Sequence, residues 1–86
     1  MNEEEILAGL REILRERMGV ERPLGKETRV LADLELDSLR RIELLIEVEN
    51  RFRVRLEPED EEDVRTLGDL ARVVAVRRSA GASSDG

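Results

Sequence analysis

The chain has 86 residues, one domain's worth, with a formal net charge of −6 and neither cysteine nor histidine. Those two absences exclude disulfides, thiol nucleophiles, Cys-based metal sites and every Ser–His catalytic arrangement. The acidic balance argues against nucleic acid or an anionic membrane as partner. It favours partners with basic patches, the plainer alternative being that charge only keeps the domain soluble.

Met1 leads straight into Glu3, Glu4 and Glu5, so no signal peptide is expected. Nor does any apolar stretch approach the length of a bilayer span, and the cytoplasm is the expected location. From 2 to 18 the apolar residues Ile6, Leu7, Leu10, Ile13 and Leu14 recur at helical spacing. Asn2 suits an N-cap with Glu5 three positions on, and Gly19 offers a stop, which predicts the first helix. A long connection follows, from 19 to 36. It carries Val20, Leu24, Val30, Leu31 and Leu34, so it is expected to pack on the bundle, with a helical turn around 29–32.

The segment 37–52 is the strongest helix, with Asp37 as its cap accepting from the backbone N–H of Leu39 or Arg40. Leu44, Leu45, Val48 and Phe52 fall on one side at 100° per residue, a core face with one aromatic. Leu39 and Ile46 fall nearly opposite, beside Glu43 and Glu47, and that second face suits docking. Its plainer reading is a solvated surface with two stray apolar residues. The run RFRVRL, 51–56, alternates like a strand but has no partner to pair with, so it is read as a helix end and an extended exit. Pro58 opens an acidic stretch, 59–63, read as a short third helix. Thr66 with Asp69 resembles a capping box for a last helix, 67 to about 77, with Leu67, Leu70, Ala71, Val73 and Val74 facing inward. The expected fold is an all-α four-helix bundle with a long first loop, a monomeric domain over 1–78, and a disordered polar tail over 79–86.

Catalysis would have to rest on Asp, Glu, Arg, Ser or Lys26, and a bundle of this size offers little room for a carboxylate cleft. The acidic run 57–63 lacks the spaced ligands and central glycine of a calcium loop, and no metal site is expected. Ser38 stands apart. It sits where the long loop meets a helix N-terminus, a place that exposes its hydroxyl and favours a phosphate. Nothing in the sequence can serve as its base, so it reads as a residue to be modified by another enzyme.

The segment LELDSLRRIELLIEVENRF, 34–52, resembles the phosphopantetheine attachment region of acyl carrier proteins. That family has Asp-Ser-Leu at the start of its second helix, matched by Asp37, Ser38 and Leu39, with Ile42, Glu43, Leu44, Ile46 and Phe52 matching downstream. The resemblance covers 3–77 and agrees with four helices and a long first connection. It implies that a phosphopantetheinyl transferase, using coenzyme A and Mg²⁺, esterifies Ser38 with 4′-phosphopantetheine. The arm's thiol would then hold acyl groups as thioesters, and the chain itself would be a carrier, not an enzyme. Asp37 would assist the transferase as well as cap the helix. Leu39, Arg40, Glu43, Ile46 and Glu47 would be read by acyl-loading and condensing enzymes.

Two departures bear on the pathway. Arg40 and Arg41 stand where fatty-acid carriers commonly have an acid, and cations in a first turn oppose the helix dipole. An Asp37–Arg41 pair at i,i+4 is the local compensation expected. Glu35 and Leu36 replace the glycine and small residue usual in fatty-acid carriers, and the Gly-Gly pair of many peptidyl carriers is absent too. The expectation is a free-standing carrier of polyketide or other specialised metabolism. The alternatives are a fatty-acid or peptidyl/aryl carrier, or a cofactor-free helical interaction domain.

Overall fold

The computed structural model describes residues 2–84, and side chains over 2–79. Four α-helices follow one another: α1 (Glu3–Glu12), α2 (Ser38–Phe52), α3 (Pro58–Glu62) and α4 (Leu67–Ser84). The described residues contain no strand, only a single antiparallel bridge between Arg29 and Thr66. None of their helices is long and apolar enough to cross a membrane.

α1 begins as its sequence dictates. Glu5 N–H donates to Asn2 Oδ1 at 2.9 Å and Asn2 N–H donates back to Glu5 Oε1 at 3.0 Å, a reciprocal capping box. Glu3, Glu4 and Glu5 place negative charge at the positive end of the dipole. The helix runs on through a wider π-helical turn, Ile13–Arg17, and stops at Gly19, whose φ of +68° suits a residue without Cβ.

The core is aliphatic around one ring. Ile6, Leu10 and Leu14 from the first helix meet Leu44, Val48 and Phe52 of α2 and Leu67, Leu70 and Val74 of α4, all essentially without exposure. Removing side chains of this size from water stabilises the fold by about 1.5–3 kcal/mol each. Gly9 is the seat of the Phe52 ring: a Cβ there would lie 2.7 Å from Phe52 Cζ. On the far side Arg78 Nη1 donates to the Phe52 carbonyl at 2.8 Å, tying α4 to the end of α2. That end is closed by Arg53 in the left-handed region, and the chain leaves extended rather than pairing as a strand.

The long connection packs down through Leu24, Val30 and Leu34, as expected, while Leu31 departs from that expectation at 52% exposed. Three backbone bonds fasten it to the α3–α4 junction. Val30 N–H donates to Arg65 O, Leu67 N–H to Thr28 O and Gly68 N–H to Lys26 O, at 2.8–2.9 Å. The last needs glycine, since a Cβ at 68 would lie 2.9 Å from that same Lys26 oxygen. A helix-like turn follows, with Asp33 N–H on Arg29 O and Glu35 N–H on Leu31 O. The Arg29 backbone N–H, then its guanidinium, hold the Asp33 carboxyl below its ordinary 3.8. Glu35 closes the turn at φ +53°.

α3 buries no residue fully. It is held by Asp60, which takes Arg77 Nε and Nη2 of α4 at 2.9 and 3.0 Å. That fork, joined by the Glu57 N–H, keeps the Asp60 carboxyl below 3.8. The Thr66–Asp69 capping box forms in both directions, and the Arg65 and Thr66 backbone N–H groups lower the Asp69 pKa likewise. α4 continues to Ser84, past the end expected near Arg77. Elongation adds a bond per residue without a new nucleus, so a stretch without proline can follow the helix outward. Of the tail expected over 79–86, residues 85–86 lie outside the described residues.

Candidate functional site

The loop delivers the chain to α2 through Leu36 and an extended Asp37. Asp37, at φ −78° and ψ −179°, turns its Oδ1 back to accept the Arg40 N–H at 2.8 Å. Its carbonyl takes the Arg41 N–H at 2.9 Å, the first bond of the helix. That leaves the Ser38 and Leu39 N–H groups without an intrahelical partner, at the positive end of a fifteen-residue dipole. Ser38 is the first helical residue and is exposed, flanked by Leu39 at 65% exposed. A reachable hydroxyl beside two donor N–H groups fits a phosphodiester.

Nothing here would make Ser38 a nucleophile unaided. The one carboxylate beside it, Asp37, is committed to the cap. The Asp37–Arg41 ion pair expected from spacing does not form: the six ion pairs of the described residues leave Arg41 out. Once Asp37 faces the backbone, Arg41 lies instead along a cleft with Leu44 and Leu45, and its Nε is buried with no hydrogen-bond partner. Arg40 supplies the local compensation, pairing with Glu43 at 3.7 Å and donating to the Met18 carbonyl at 3.2 Å.

On the outer face of α2, Leu39 and Ile46 are exposed, Ile46 at 49%. Between them Ile42 is 52% exposed and completes an apolar row at i, i+3 and i+7. Ile42 matches the family pattern, and its spacing of three from Leu39 also places it on this row. Glu43 and Glu47 border the row, and each is shared with an arginine, Glu47 with Arg17 of the first helix at 3.7 Å.

Residues 8–74 match the family profile described as phosphopantetheine attachment site. This chain belongs to the acyl carrier protein family. It is 36% identical over 73 residues to the meromycolate extension acyl carrier protein of Mycolicibacterium smegmatis, covering 84% of this chain and 74% of that one. It is 33% identical over 75 residues to the protein of that name from Mycobacterium leprae, covering 86% of this chain but only 65% of the relative. An acyl carrier protein of Acidothermus cellulolyticus is 33% identical over 76 residues, covering 87% of this chain and 90% of the relative. The group such domains attach is phosphopantetheine, whose terminal thiol supplies what a cysteine-free polypeptide lacks. Acyl carrier proteins are carriers rather than catalysts, served by a phosphopantetheinyl transferase and by acyl-handling enzymes in general. The all-α fold agrees with this membership.

Proposed function

We propose that this carrier holds acyl intermediates as thioesters on a phosphopantetheine arm esterified to Ser38, and is itself a substrate of its partner enzymes. The exposed hydroxyl at the capped start of α2 is the observation that carries the reading. Asp37 fixes the helix start, so the Ser38 Oγ is presented in one place, and the orphan N–H groups beside it stabilise the phosphate that the hydroxyl acquires. Leu39, Ile42 and Ile46, with Arg40, Glu43 and Glu47, form the face offered to partners.

The name shared by two of the relatives, meromycolate extension, supports a role in lengthening an acyl chain. Arg40 and Arg41, in place of the acid common in fatty-acid carriers, support the second reading, polyketide or other specialised metabolism. Intact mass after incubation with coenzyme A, Mg²⁺ and a promiscuous transferase tests the attachment. One phosphopantetheinyl group is expected on the wild type and none on Ser38→Ala. An unmodified wild type, or a modified Ser38→Ala, would end this reading.

A further inference from the structure

Every carboxylate of α2 is engaged within the molecule. Glu43 pairs with Arg40 at 3.7 Å, and Glu47 pairs at 3.7 Å with Arg17, from the π-helical turn of the first helix. Glu49 Oε2 accepts the Leu56 backbone N–H at 2.9 Å. In the Arg17–Glu47 pair the guanidinium is the outer member, 70% exposed against 36% for the carboxylate. Three glutamates and three arginines leave α2 with no net charge, although the chain as a whole carries −6. Acids concentrate elsewhere, in the first turn of α1 and in α3. Beside these committed charges the apolar row of Leu39, Ile42 and Ile46 stands open. It begins one residue after Ser38 and extends about 10 Å along the helix.

Resting on the carrier reading above, we propose that this face takes an enzyme surface with an apolar slot and no basic patch. The row of Leu39, Ile42 and Ile46 anchors that partner, and the α2 glutamates do not steer it. The reason is cancellation. A cation brought up to Glu47 meets Arg17 at nearly the same distance, and one brought to Glu43 meets Arg40, so attraction and repulsion largely offset. What is left to gain is the removal of three aliphatic side chains from water, a contribution that salt does not screen. The basic partner that the chain's overall charge suggests finds no unshared glutamate on α2.

The test measures kcat/KM for the full chain, at saturating coenzyme A, with two transferases: one with an apolar docking surface and one with a basic one. Salt is varied from about 25 to 400 mM NaCl, which shortens the screening length several-fold. With the apolar-faced enzyme the wild type should lose less than about twofold across that range. Ile42→Ser should lose about tenfold with it at every salt concentration. Arg17→Gln combined with Arg40→Gln frees both glutamates. Loading by the basic-faced enzyme should then rise about fivefold at low salt and fall back at high salt. Arg17→Gln alone, remote from Ser38, should give about a twofold rise and serves where the double variant folds poorly. Circular dichroism melts establish that each variant is folded at the assay temperature. A wild-type rate that drops tenfold with salt, an Ile42→Ser protein loaded at the wild-type rate, or no rise on freeing the glutamates each overturns the proposal. Failure of the wild type to load with either enzyme would instead remove the carrier reading, and this proposal with it.

Discussion

Asp37 does two separable things at the start of α2, and a pair of substitutions divides them. Its Oδ1 accepts the Arg40 N–H at 2.8 Å, and its charge faces a first turn that itself contains no acid. Losing such a cap costs about 1 kcal/mol, and losing the charge at the dipole's positive end about 0.5 kcal/mol more. Asp37→Ala loses both, about 1.5 kcal/mol, which for a domain of this size lowers the midpoint by about 6–12 °C. Asp37→Asn keeps an oxygen in the capping position and should melt only about 2–4 °C lower. Circular dichroism melts give the stability order, and intact mass gives the transferase rate for each variant at a temperature where all are folded. If positioning alone matters, Asp37→Asn is modified at the wild-type rate. If the carboxylate itself assists the transferase, Asp37→Asn is slow although stable. An Asp37→Ala protein that melts with the wild type would refute the capping argument outright.

Two further outcomes follow from the packing and from the acids. Gly9→Ala ordinarily gains about 1 kcal/mol in a helix, but here the new methyl meets the Phe52 ring. Overpacking of about 1–3 kcal/mol should leave it destabilised in urea titrations, and in a Phe52→Leu background it should turn neutral or stabilising; a stabilised single variant would show that the ring does not sit there. Asp33, Asp60 and Asp69 all titrate below 3.8 in the folded chain, so their contribution is complete above about pH 4 and disappears as pH falls through the folded values. Asp60→Asn should cost about 1 kcal/mol or less at pH 7, because Arg77 is partly exposed, and should flatten the acid limb of stability against pH. An unchanged acid limb would remove the Asp60–Arg77 fork from the account.

What could be read in advance was what is local. Asn2 with Glu5, Thr66 with Asp69 and Asp37 with Arg40 lie three residues apart, and their bonds need only a helix to begin. The position of Ser38 at a helix start was legible for the same reason, since the neighbouring Asp37 caps that helix. Arg41 was not. Spacing offered it Asp37, and only the arrival of α3 and of the 29–35 turn makes a cleft for it to lie along. Leu31 was misjudged because a turn, unlike a helix, gives no period from which to tell inside from outside. Nor could spacing show that Gly68 meets Lys26, a contact between residues 42 positions apart.

The left-handed residue at 35 has a bearing on the serine three places later. It ends the helical turn before the chain passes through Leu36 and Asp37 into α2. The Asp37 cap fixes where α2 begins, and the left-handed backbone upstream of it bends the chain toward that start. Glutamate at such a joint is a stiffer choice than glycine, with fewer ways to relax. The price is a little strain, and what it secures is a narrower choice of paths by which the loop can enter α2.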